Sequence, residues 1–275
     1  MEKKSRIFKI LVNIAAILTF LILFMVIIDV VIKGIPNLNL DMFSIKYTSE
    51  NLSMLPAIIN TILMVVIALL IAGPIGILTS VYLNEYAKKD NPLIKPVRLT
   101  TQTLAGIPSI VYGLFGSIFF VTFLGWKYSL LAGAFTLSIM ILPLIIAATE
   151  EALKSVPNSL REASFGLGAM NLRTIFKVVV PPAMPGILAG IVLSIGRIVG
   201  ETAALLYTAG ANPTIPKNLL SPARTLAVHM YILSGEARHR KEAYAAGVVL
   251  LILVLIINFI STRLAGRIGK EGINE

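Results

Sequence analysis

The sequence predicts an all-α polytopic membrane protein with six transmembrane helices. Hydrophobic residues make up 56% of the 275-residue chain, and the mean hydropathy is +0.86. A soluble domain is about 45–50% apolar even on a count that includes glycine. Six apolar runs each approach or exceed the roughly 20 residues that a helix needs to cross the hydrocarbon core. Lysines and arginines gather in the flanks of those runs, where they set membrane orientation.

The first run, Ile7 to Ile32, follows the basic stretch Met1-Glu-Lys-Lys-Ser-Arg6. That start resembles a secretory signal, but the apolar run is too long for one and no small-residue cleavage site follows. It reads as a retained anchor, so residues 1–56 form an N-terminal helix with its outer loop. The second run is Ala57 to Val81, the third Leu104 to Leu124 and the fourth Ser129 to Thr149. The fifth is Ala183 to Ala209 and the sixth Ala243 to Leu264. These five and their loops make a core over residues 57–264, leaving 265–275 as a tail. Glycines and prolines such as Gly73, Pro74, Gly106, Pro108 and Pro143 recur inside the runs. Membrane helices tolerate them because neighbouring groups satisfy the freed backbone.

Orientation follows from the flanking charges. With the N-terminus inside, fifteen lysines and arginines fall on the inner side and eight on the outer. The inner set includes Lys3, Lys4, Arg6, Lys88, Lys89, Arg98, Lys154, Arg161, Arg263, Arg267 and Lys270. The outer set includes Lys33, Arg224 and the opposing cluster Arg238 to Lys241. The majority places both termini inside, and most of the net charge of +10 is topology rather than nucleic-acid binding. There is no cysteine, which excludes disulfides and thiolate metal sites. His229 and His239 lack ligand-like spacing and read as ordinary loop residues.

The fifth run holds the most informative stretch, Gly196-Arg-Ile-Val-Gly-Glu-Thr202. A charge near the bilayer centre costs roughly 2.5–3.5 kcal/mol on the most lenient scale, so an intramembrane ionisable residue points to function. Arg197 and Glu201 are four apart, so on one continuous helix they share a face and pair. A guanidinium fork suits a tetrahedral oxyanion, which marks Arg197, Glu201 and Thr202 as substrate-path residues. A structural ion pair between helices is the alternative. Gly196, Gly200 and Ala204 form a small-residue line that allows close helix approach.

Glu151 to Val180 is the longest inner loop and looks folded. Ser159-Leu-Arg-Glu162 is a capping-box pattern, predicting a helix from about Leu160 to Met170. Leu160, Ala163, Leu167 and Met170 fall on one face. Such a helix either inserts into a groove of a partner protein or lies on the membrane surface.

Glu162-Ala163-Ser164-x-x-x-Gly168, followed by Val178-x-Val180-Pro181, resembles the EAA loop of ABC importer permeases. That resemblance implies the MetI-like permease fold. It also implies an ATPase-coupling role for Ser159, Arg161, Glu162, Ala163, Gly168 and Pro181. Ser164, Val178 and Val180 depart from the usual alanine, isoleucine and leucine. The Gly-Arg-x-x-Gly-Glu-Thr stretch, continuing through Ala203-Ala-Leu-Leu-Tyr-Thr-Ala-Gly210, is similar to phosphate importer permeases of the PstA type. So are Pro74 to Tyr86, Gly106 to Phe115 and Val156 to Ala163. Ile198 stands where that family often has alanine. The likeness covers about Ala57 to Leu264.

The resemblance implies four kinds of partner in a prokaryotic cytoplasmic membrane. They are a homologous PstC-type permease, two PstB-type ATPase subunits, an external PstS-type phosphate-binding protein and lipid. No P-loop is present: Gly266-Arg-Ile-Gly-Lys-Glu271 has the wrong spacing and no hydroxyl after its lysine. The chain is therefore read as a non-enzyme with no cofactor of its own, ATP and magnesium being bound by the ATPase. Permeases for sulfate, molybdate or amino acids share the docking loop and remain alternatives. A secondary carrier predicts internal repeats, and none is evident.

Overall fold

The computed structural model describes residues 2–87 and 94–274. Lys88 and Lys89 lie outside the described residues, as do the side chains of Lys3, Lys4, Arg6, Arg267 and Lys270. Eleven α-helices follow in order. They are α1 (Glu2–Gly34), α2 (Leu55–Val81), α3 (Ile94–Ala105), α4 (Ser109–Gly116), α5 (Leu130–Lys154) and α6 (Asn158–Gly166). Then come α7 (Asn171–Thr174), α8 (Val180–Val199), α9 (Ala203–Thr208), α10 (Leu226–Gly235) and α11 (Arg240–Asn274). π-Helical turns extend α2 through Tyr82–Tyr86, α4 through Ser117–Phe123 and α7 through Ile175–Val179. Among the described residues, five helical stretches are long and apolar enough to cross a membrane, or six if one bent pair counts as a span.

The third run is the second half of that bent pair: only its first two residues, Leu104 and Ala105, belong to α3, and the rest is the α4 stretch. α3 and the α4 stretch meet at 104° across Gly106-Ile107-Pro108. Proline lacks an N–H and pushes the residue before it out of helical geometry, so α3 ends there, two residues into the predicted span. Tyr112 Oη donates to the Leu104 carbonyl at 2.7 Å, satisfying one group that the break leaves free. α3 is amphipathic and is tied to α5 through Arg98, which lies 2.9 Å from Glu150. Lys154 reaches the same carboxylate at 2.9 Å.

α2, α5 and α8 form the centre, around Met64, Leu137, Met140, Ile141, Ile145 and Ile198. In lipid, apolar surface gives helices little reason to associate, so close packing and interhelical hydrogen bonds must hold them. Both occur here. Ser80 Oγ donates to the Ile146 carbonyl at 2.9 Å and Ser138 Oγ to the Ala68 carbonyl at 3.2 Å, joining α2 to α5. Gly186 and Gly190 of α8 lie directly on Ala152 and Ala148 of α5; a Cβ on Gly186 would sit 2.6 Å from that of Ala152.

The close-packed line on this helix is therefore Gly186 and Gly190, one helical stretch earlier than the sequence suggested. Gly196 has open space where its Cβ would stand, and Gly200 meets only its own backbone. Ala204 alone of the predicted line is in tight contact, its Cα 2.8 Å from a Cβ on Gly113. α1 leans on α11 only near its C-terminal end, where Gly34 rests on Tyr244 and Val248. The face from Phe8 to Val26 is exposed along its length.

Candidate functional site

The fifth run is not one helix. α8 stops at Val199, Gly200 to Thr202 are non-helical, and α9 starts at Ala203. The expected Arg197–Glu201 ion pair is therefore absent. The pairing rule needs an unbroken helix, and the break falls between the two residues. Glu201 is 8% exposed and turns forward, its Oε1 accepting from Ala204 N–H at 3.0 Å. Glu201 lies one residue before the N-cap position, Thr202, and its carboxylate satisfies one of the free N–H groups in the first turn of α9. Thr202 is half-buried and makes no cap bond.

Arg197 has no carboxylate within ion-pair reach among the described residues. It is half-buried and faces an open cavity of 730 Å³. Leu144 of α5, Ala189, Val192, Leu193 and Gly196 of α8, and Asn258 and Thr262 of α11 complete the lining. The sequence reading missed the last two. Their signal was a pair of polar residues four apart inside the apolar sixth run. The cavity thus joins one guanidinium, one amide and one hydroxyl in apolar walls. That is a donor set suited to an oxyanion. No group of three potential metal ligands exists among the described residues.

The predicted inner loop is mostly helix: α5 runs to Lys154, and the stretch Asn171–Val199 is one long apolar helix. α6 begins at Asn158 behind Pro157, with no side-chain cap bond, so the Ser159–Glu162 capping box does not form. Proline fixes the entry geometry instead. The helix stops at Gly166, four residues before the predicted end. Gly168 adopts φ +81, a left-handed turn that favours glycine. Ser164 Oγ lies 2.8 Å from Thr174 Oγ1, pinning α6 to α7, so the serine that replaces the motif's alanine has a partner.

Ser159, Glu162 and Ala163 are exposed, and Pro181 is half-buried at the start of α8. Leu167 and Met170 are 90% and 82% exposed. They stand beside a 530 Å³ hollow lined by Leu160, Ala163, Arg173 and Lys177. Arg161 instead turns inward. Its Nε and Nη2 donate to both oxygens of Glu85 at 3.1 and 2.7 Å.

The other end of the bundle corrects two further expectations. Arg224, counted among the outer charges, is 4% exposed, and its guanidinium lies 4.9 Å from the Tyr47 ring. His229 is fully buried, with Tyr47 edge-on at 6.2 Å. Burial first, then the charge of Arg224, pushes His229 down from 6.5 to about 3.

Known proteins align with this architecture. The family described as "Binding-protein-dependent transport system inner membrane component" matches residues 72–271. A probable ABC transporter permease protein of Bacillus subtilis, YqgI, is 35% identical over 260 residues, 88% of each chain. The phosphate transport system permease protein PstA of Pasteurella multocida is 37% identical over 234 residues, 82% of this chain and 81% of that one. Among solved structures, a bacterial alginate ABC transporter matches with a TM-score of 0.71, at 18% identity. It covers 98% of this chain and 96% of that one. The MetNI methionine ABC transporter matches with a TM-score of 0.59 at 22% identity, over 76% and 91%. A matched span of this extent, on a polytopic helical bundle with a folded helix between its fourth and fifth spans, decides the assignment: the chain belongs to the family of inner-membrane components of binding-protein-dependent transport systems.

Proposed function

We propose that the chain is the membrane-spanning permease subunit of an ATP-driven importer that moves inorganic phosphate across the cytoplasmic membrane by alternating access. The observation that carries this reading is Arg197. It is a charged residue in an apolar helix, without an acidic partner among the described residues, and faces a cavity with Asn258 and Thr262. Resemblance of its motif to PstA-type permeases, and 35–37% identity to relatives named for phosphate transport, supply the substrate.

In this reading, an external binding protein delivers phosphate to a path between this chain and a homologous permease. Arg197 receives the anion with its planar fork. Glu201 does not neutralise Arg197 between cycles; by bonding the first turn of α9 it holds the break that positions Arg197 and Thr202. Two ATPase subunits, which bind ATP and magnesium, engage α6 and the turn after it, which carries Leu167 and Met170. The α6 end and both termini face the cytoplasm. The supporting pattern is the inner majority of flanking cations, with Arg98, Lys154, Arg173 and Lys177 near α6. Residues 57–264 form the working core.

The test is uptake of radiolabelled phosphate and sulfate into proteoliposomes that hold the full complex, with and without ATP. ATP-dependent uptake of phosphate over sulfate supports the reading. ATP hydrolysis with sulfate uptake and none of phosphate transfers the assignment to another oxyanion.

A further inference from the structure

The five donor contacts of Arg161 divide into two sets. Nη1 donates to the Val156 carbonyl at 2.9 Å and to Asn158 Oδ1 at 3.3 Å, and Nη2 to the Leu153 carbonyl at 3.0 Å. These bonds shape the corner between α5 and α6. The other set reaches across the molecule to Glu85, 76 residues away in sequence. Glu85 lies on the π-helical turn that extends α2, and Asn84 Nδ2 donates to its Oε1 at 2.8 Å. The side chains of Arg161 and Glu85 are 15% and 9% exposed, so water screens the pair little. A bidentate, charge-assisted contact of this kind is among the stronger polar links available.

The far end of α2 is gripped too. Asn60 Nδ2 donates to the carbonyls of Thr214 and Arg224, both at 3.1 Å, and Thr61 Oγ1 accepts from Leu226 N–H at 2.9 Å. Glu85 and Asn60 are 25 positions apart on one near-continuous helix, roughly 37 Å at about 1.5 Å per residue. α2 is thus bonded at one end to α6 and at the other to the segment 214–226, which follows α9.

We infer that Glu85 is a positioning residue that couples α6 to α2, so that movement of the docking helix is carried along α2 to the 214–226 segment at the opposite end of the bundle. This rests on the reading of α6 as the ATPase-docking helix. The two gripped ends of α2 make one continuous physical path between the sites, and the label experiment below tests whether it switches between two states, as a coupling claim requires. Glu85 is also the informative position to change. Its loss removes the link to α2 and leaves the bonds from Arg161 to Leu153, Val156 and Asn158 in place.

The experiment compares wild type with Glu85→Gln and Glu85→Asp in the assembled complex, using two readouts. One is phosphate transported per ATP hydrolysed. The other is the spectrum of a spin label on Lys217→Cys, an exposed site in a chain with no native cysteine, with and without vanadate-trapped nucleotide. Glu85→Gln is expected to keep ATP hydrolysis while transport per ATP falls roughly tenfold, within the range of coupling effects. The nucleotide-dependent change in the label spectrum disappears, and Glu85→Asp recovers part of both. Unchanged coupling and an unchanged label response in Glu85→Gln overturn the inference. Should Glu85→Gln fail to assemble, Asn60→Ala, which frees the opposite end of α2 from the Thr214 and Arg224 carbonyls, is read the same way. The label response needs no phosphate. A wild type that moves no phosphate but shows a Glu85-dependent response overturns the substrate reading and supports the linkage.

Discussion

Arg197 and Glu201 lie four residues apart and do not pair: the helix of the arginine ends at Val199, and the glutamate bonds the first turn of the next helix, accepting from Ala204 N–H at 3.0 Å. The glutamate is therefore a backbone-shaping group and the arginine is left available to a ligand. Removing this hydrogen bond should cost about 1 kcal/mol. Glu201→Gln retains an acceptor oxygen and is expected to keep both thermal midpoint and uptake near wild type, whereas Glu201→Ala lowers both. Loss of uptake in Glu201→Gln, in an assembled complex of normal stability, would show that the negative charge itself is required.

Packing makes a second prediction on the same helix. Gly190 rests on Ala148, while Gly196 has open space beside it. Gly190→Val is expected to separate α5 from α8 and to cost about 1–3 kcal/mol, the usual range for overpacking, or to prevent assembly. Gly196→Ala should leave the thermal midpoint unchanged. Equal behaviour of the two variants would contradict the packing described.

The docking face makes a third. Leu167 and Met170 are among the most exposed apolar side chains of the molecule. Leu167→Asp is expected to reduce co-purification of the ATPase subunits and leave the thermal midpoint of the permease near wild type. A falling midpoint with intact ATPase binding would make Leu167 a fold residue.

Acid sensitivity follows from His229, which lies on α10 outside the long spans. Its folded value is depressed from 6.5 to about 3, so below pH 6.5 the unfolded chain binds a proton that the folded chain refuses. Stability is full above about pH 6.5 and declines progressively as pH falls towards about 3. His229→Phe, which keeps a ring against Tyr47, should flatten that part of the profile. Thermal midpoints of the two proteins between pH 7 and 4 make the comparison, and parallel profiles would contradict it.

Hydropathy and length made five of the six runs legible, because a membrane span is specified by composition alone. The breaks were not legible from hydropathy. Gly106-Ile107-Pro108 and Gly200-Glu201-Thr202 lie inside runs that remain apolar on average, and proline is common in intact membrane helices, as Pro74 and Pro143 show here. The docking element was readable as a helix, but its mode of capping was not: Pro157 and Ser159 are both credible starts, and the chain uses the first. Arg161 reads from sequence as an inner flanking charge and a coupling residue; its ion-pair partner is hidden because Glu85 is 76 positions away and nothing local announces it. Arg224 and His229 were misread for a related reason. Loops can fold inward against helix ends, and the Asn60 contacts to the Thr214 and Arg224 carbonyls are what draw this one in.

The most direct test of the account is phosphate uptake by the assembled complex carrying Arg197→Ala, beside wild type and Arg197→Lys. Normal assembly and ATP-dependent uptake are expected in wild type. A loss of roughly ten- to hundredfold is expected in Arg197→Ala, the size of a charge-assisted contact, with partial recovery in Arg197→Lys. Wild-type uptake by Arg197→Ala would contradict the account and reduce the arginine to a structural part of α8.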